Sequence, residues 1–318
     1  MNSVNLNTVV INSIKELLPP GTNLFNFLSD ILPINKEAIY RRIRGEVVFT
    51  FFELYSIAQK LVVSMDYLVK SLYNNNCTFE LVLQHFEGAK EVSDLPNKFA
   101  LIVERVLADS SSRFELSHNL FPQLPAHMFY YLSRYNSFKW IYKNRIGEAK
   151  RFKEIDYPQE IFEMHKDGNI ATMEIENTSY IWDYTIIEMM VREIKYFETI
   201  SLIEKEDIAL LKKDLFEFLY FVEELTIKGV FPTGNKVDIY ISPVNSDAAY
   251  SYIESTHFKV CIVGVYDFEY IISTDNLAFE MTKRKIQSLK NGAILISGAS
   301  ELDRFSFFRK QYELLDTL

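Results

Sequence analysis

The chain has 318 residues, a hydrophobic fraction of 48%, only 10 glycines and 9 prolines, and a formal net charge of −9. This composition supports a packed core of helices and strands with short connections; it excludes a disordered chain and one that coats nucleic acid through a uniformly basic surface. Two distant cysteines, Cys77 and Cys261, form no disulfide framework and suit a reducing cytosol, so a cytoplasmic location is expected. Met1 to Asn7 lacks the basic and apolar segments of a signal peptide. No run of 18 apolar residues occurs, and the closest approach, Val47 to Leu54, is too short to span a bilayer.

Residues 1–74 hold seven Lys/Arg and six Asp/Glu, about +1, which leaves about −10 for the remainder. The N-terminal head reads as five short helices. The first runs from Asn7 or Thr8 to Leu18, with Val9, Ile11, Ile14 and Leu17 inward, and Pro19-Pro20-Gly21 stops it. Thr22 or Asn23 caps the second, whose Leu24, Phe27, Leu28 and Ile31 share a face, and Pro33 closes it. Asn35 caps the third, Lys36 to Arg44, ended by Gly45. Its Ala38, Ile39 and Ile43 are expected inward; Lys36, Glu37, Tyr40, Arg41 and Arg44 are expected outward. A fourth runs from Thr50 to Leu61, burying Phe52, Leu54, Ile57, Ala58 and Leu61, and Ser64 caps a fifth.

This arrangement resembles the lambda-repressor-like helix-turn-helix family over residues 6–73. Leu24 with Phe27-Leu28-Ser29 matches the second helix, Ile34 to Arg41 the recognition helix, and Gly45 its stop. The string Ile57-Ala58-x-x-Leu61-x-x-Ser64-x-x-Tyr67-Leu68 matches the junction of the fourth and fifth helices. Two positions depart from the family. Pro33 stands where the turn usually has glycine, which forbids the left-handed conformation there. Ile43 stands where the family often has an acidic residue, so a local polar bridge is expected to be missing. The resemblance implies a recognition helix in the major groove of double-stranded DNA. Asn35 would then pair with adenine, Lys36 or Arg41 would read guanine, and Tyr40 would touch a thymine methyl or a phosphate. Glu37 lies on the same face. Arg44, Arg42 and Asn23 would contact phosphates.

The body begins after a polar linker, Asn74 to Thr78. Helices are expected at Phe79–Ala89 and Pro96–Ala108, with a turn at Asp109–Arg113. Pro125 to Lys143 interleaves seven aromatic residues with Arg134, Lys139 and Lys143. That pattern suits single-stranded nucleic acid or a sensor pocket, but an aromatic core helix is the simpler account. Helices follow at Ile186–Phe197 and Glu204–Lys228. In the latter Ile208, Leu211, Leu215, Phe218, Val222 and Leu225 form a heptad-like seam, open to a core or to a dimer partner. Beyond Gly229 strands are expected at Val237–Ile241, Ala249–Ile253, Phe258–Tyr266 and Phe268–Ile272. A helix at Asn276–Lys290, a strand at Ala293–Ser297 and a helix at Glu301–Leu315 complete the chain.

The expected fold is therefore mainly α with a smaller α+β part. It comprises a five-helix DNA-binding head (1–74), a helical dimerisation or effector middle (75–229), and an antiparallel sheet with two helices (230–318), the last two open to being one domain. The five histidines show no ligand spacing, no phosphate-binding loop is present, and neither a metal nor a cofactor is expected. Ser297 to Ser300 opens a helix and could hold an anion, although a buried strand and a capped helix is the favoured account. No enzyme is indicated. The expectation is a dimeric, sequence-specific transcription regulator, with a small-molecule or protein effector on the body and no membrane partner. The alternative is a protein-interaction scaffold whose head binds protein.

Overall fold

The structure, a computed structural model, describes residues 6–18, 21–69, 77–82, 98–144, 150–265, 269–298 and 300–318. The head contains α1 (Leu6–Leu17), α2 (Leu24–Ile31), α3 (Lys36–Ile43), α4 (Phe51–Leu61) and α5 (Met65–Val69). Side-chain caps set three of the starts. Asn23 Oδ1 accepts from the amides of Phe25 and Asn26, and Asn35 Oδ1 accepts from Ala38. Thr50 and Glu53 cap reciprocally at α4. The apolar sides of the helices meet in one cluster around Val10, Ile14, Leu28, Ile39, Ile57 and Leu68. The capping box phases α4 so that Glu53 and Leu54 turn inward, which leaves Phe52, expected to be buried, 63% exposed.

Among the described residues none between α2 and α3 has positive φ, and Leu32 ends α2 in extended backbone. This is the turn that Pro33 requires. Gly45, at φ 75°, ends α3 as expected. The Pro19-Pro20 stop lies outside the described residues, as do positions 74–76 of the expected linker.

The body runs β1 (Glu80–Val82), α6 (Lys98–Leu107), β2 (Arg113–His118), α7 (Gln123–Ala126), α8 (Tyr130–Asn144), α9 (Gln159–Met173), β3 (Asn177–Asp183), α10 (Ile186–Thr199), α11 (Lys205–Lys228), β4 (Lys236–Ser242), β5 (Tyr250–Glu254), β6 (Lys259–Gly264), β7 (Tyr270–Ser273), α12 (Asn276–Asn291), β8 (Ile294–Leu295) and α13 (Glu301–Leu315). The strands form one mixed sheet in the order β1-β7-β6-β5-β2-β3-β4-β8. β2, β3 and β4 are parallel; the other neighbours are antiparallel. The expected helical middle thus supplies two central strands, and the expected small antiparallel sheet is one part of a larger one. Where a helix was expected at Phe79–Ala89, residues 80–82 pair with β7, and the rest of that stretch lies outside the described residues.

One face of the sheet carries the main core, where Phe114, Leu116, Tyr180, Trp182, Ile239 and Ile253 meet α6, α8, α10, α11 and α13. Leu211, Leu215, Phe218, Val222 and Leu225 of α11 are buried here, so the heptad-like seam is an interior stripe. Tyr135 and Phe138 of the aromatic stretch are buried in the same core. Asp214 of α11 accepts from the amides of Tyr131 and Leu132 and so caps α8 from a neighbouring helix. The second face is covered by α12. There buried Glu115 of β2 takes Gln287 at 2.7 Å and Lys290 at 3.1 Å, and Lys290 also reaches Ser179 of β3.

Candidate nucleic-acid interface

The third helix presents the face expected from its spacing. Ile39 is buried, 1% exposed, and locks the helix phase, while Lys36, Glu37, Tyr40, Arg41 and Arg44 stand in solvent. Tyr40 stacks on Phe25, ring centroids 4.6 Å apart, which ties the α3 face to the start of α2. Lys36 has no ion-pair partner among the described residues. The two exposed arginines share one carboxylate. Glu46 lies 2.7 Å from Arg44 Nε and 3.7 Å from Arg41 Nε, and Glu37 adds a contact of 3.4 Å to Arg44. The hydrogen bond from Arg44 to Glu46 holds the guanidinium pKa above its ordinary value. These exposed pairs are weak and exchangeable.

Arg42, expected at a phosphate, is placed differently. It forms a fork with Glu53, Nε to Oε2 at 2.8 Å and Nη2 to Oε1 at 2.7 Å, and the two side chains are only 11% and 6% exposed. Its Nη1 also donates to Ala38 O. The polar bridge expected to be missing because of Ile43 is thus supplied by the residue before it. Glu53 Oε2 also accepts from the Thr50 amide, so one carboxylate closes both the bridge and the α4 cap.

Sequence reasoning missed Asn7. It is 1% exposed, and its Nδ2 donates to Arg42 O at 2.9 Å and to Val47 O at 2.7 Å, while its Oδ1 accepts from Phe49. The turn leaving α3 is therefore pinned from α1 and from α4. An asparagine beside the Val9-Val10-Ile11 stripe and a glutamate three residues after Thr50 were the available signals. Asn23 and Asn35 both spend their side-chain oxygens on caps, so each offers only its amide NH2 to a ligand. Beside the pinned turn stand three exposed apolar residues, Val48, Phe51 and Phe52.

The face combines Lys36, Arg41, Arg44 and Tyr40 with the Asn35 amide at the start of the same helix, a donor set that suits a phosphate backbone and base edges. Elsewhere, among the described residues, no group of three His, Cys, Asp or Glu side chains could hold a metal ion, and no helix is long and apolar enough to cross a membrane. In the Ser297–Ser300 turn, Gly298 N–H is bound to Thr226 O, and Ser297 Oγ accepts from the Ile239 amide; Ala299 lies outside the described residues. No family model, no curated protein and no solved structure matches the chain.

Proposed function

We propose that the chain is a sequence-specific reader of double-stranded DNA that regulates transcription. It would act as a dimer whose body joins two heads and receives a small-molecule or protein signal. The observation that carries this reading is the pinned, capped α3, which holds Lys36, Tyr40, Arg41 and Arg44 on one exposed face. In the groove, Lys36 or Arg41 would read guanine, the Asn35 amide would donate to a base edge, and Arg44 and the Asn23 end of α2 would sit on phosphates. Tyr40 would pack on a thymine methyl or a sugar. Arg42 would position the helix without touching DNA.

The test is binding of labelled duplex of mixed sequence by the full-length protein across a salt series. Affinity falling steeply with salt, and falling further in Lys36→Ala, supports the reading. Absence of binding at about 50 mM salt, well inside the range where phosphate contacts dominate, ends it. A second reading, a head that docks on protein, draws on the exposed Val48, Phe51 and Phe52. It predicts that Arg41→Ala leaves DNA affinity unchanged.

A further inference from the structure

The inward stripe of α11 is used up by the core, but its outer flank is bare. Tyr220 is 65% and Ile227 54% exposed, one heptad apart on the same side of the helix. Helix α13 lies antiparallel beside that flank. Gly298 N–H, just before it, bonds to Thr226 O, the Tyr312 ring stacks on Phe216 while its hydroxyl donates to Glu223, and Lys212 Nζ reaches Leu318 O beyond its end. This register sets the first two turns of α13 against the Tyr220–Ile227 end of α11. There Leu302 is 82% and Phe305 62% exposed. Together the four side chains expose roughly 500 Å² of largely apolar surface on this flank, near the upper end for an ordinary monomer.

We infer that this α11–α13 flank is where a second copy of the chain packs, two helices from each copy meeting about a two-fold axis. Two such patches with their polar rims reach the ~1,200–2,000 Å² of a stable dimer. The rim carries three internally neutral pairs, Lys213 with Glu217, Glu224 with Lys228 and Arg309 with Glu313, and the acidic Glu301 and Asp303 on either side of Leu302. Such a rim offers no positive charge in excess to a polyanion or an anionic membrane, and its paired lysines and arginine can meet the acidic groups of a second copy across a two-fold axis. The inference names the dimer contact of the DNA-reading assignment, and rests on that reading only for the use made of the dimer.

The experiment is the mass of the full-length protein by light scattering and sedimentation over a concentration series, with Leu302→Glu/Phe305→Asp and the milder Leu302→Ser/Phe305→Ser, each checked for unchanged far-UV circular dichroism. Both substitutions sit in solvent, and the serine pair serves if the charged pair misfolds. Expected is a dimer of the 37.3 kDa chain, weakened at least about thirtyfold in the variants. A monomeric wild type at tens of micromolar, or variants that stay dimeric, overturns the inference. A wild-type dimer without any DNA affinity would sink the DNA reading and leave the interface standing. A monomer that still selects a DNA sequence would do the reverse.

Discussion

Val62 ends α4 in the left-handed region at φ 57°, ψ 45°, a conformation that a β-branched side chain resists. It is 38% exposed, so little packing depends on it. Val62→Gly is expected to raise stability by about 1 kcal/mol in urea unfolding, relief of strain outweighing the added freedom of the unfolded chain; a loss of stability would show that packing of the isopropyl group dominates. Glu53 has the opposite standing. Glu53→Ala strands the Arg42 guanidinium in a largely buried site and should cost about 3 kcal/mol, measured as a lowered unfolding midpoint. Arg42→Ala should likewise destabilise the chain; were Arg42 a phosphate contact, it would lower DNA affinity and spare stability. Glu46 is seated between Arg41 and Arg44, and under the proposed DNA reading it would compete with phosphate for both. Glu46→Gln is expected to raise affinity for non-specific duplex by roughly threefold to tenfold at low salt, and an unchanged or weaker affinity would contradict that role. In the sequence Arg42 looked like its neighbours because charge is visible in a string of residues. Its partner lies eleven positions on and becomes apparent only when α3 and α4 pack.

At the scale of elements, local signals wrote most of the helices. The Asn23, Asn35 and Thr50 caps, and the Glu204 start and Gly229 stop of α11, place helix ends within a residue or two of where they were expected. Strands β2 and β3 were hidden. Glu115, Ser117, Thr178 and Ser179 break their apolar alternation, and these residues are buried only because a central strand has both faces covered. Helix α9 was missed as well; its inward positions include Asn169 and Thr172, which blur the helical period. Two element ends also make stability depend on pH. Burial holds His118, at the end of β2, down to about 4, and burial with the stacked His165 ring holds His127, after α7, down to about 3. Both stay neutral in the fold while the unfolded chain takes up protons below about pH 6.5. Their contribution to stability is therefore level above pH 6.5 and declines as pH falls toward 4, by about 1.4 kcal/mol per pH unit for each histidine. His118→Gln should make the decline shallower in urea titrations; an unchanged slope would remove His118 from the account.

Over the whole molecule, the helices of residues 6–69 are legible one at a time, because α2, α3 and α4 open on side-chain caps and the helices turn apolar residues into one cluster. The body could not be read that way. Its sheet pairs β2 with β5 and β1 with β7 across long stretches of chain, and no local pattern encodes such register. One core cluster, running from Ile102 to Leu315, draws on residues from both sides of Gly229, where the sequence leaves a boundary open. Under the proposed DNA reading, the acidic body and the basic-faced α3 would confine binding to a small contact, the rest of the chain being repelled by the duplex. The most direct test of that claim is selection from random duplex DNA with the full-length protein at about physiological salt, run beside Arg41→Ala. The account predicts enrichment of one palindromic sequence, lost or degraded at a defined base pair in the variant. Enrichment of nothing, or the same sequence enriched equally by Arg41→Ala, would contradict it.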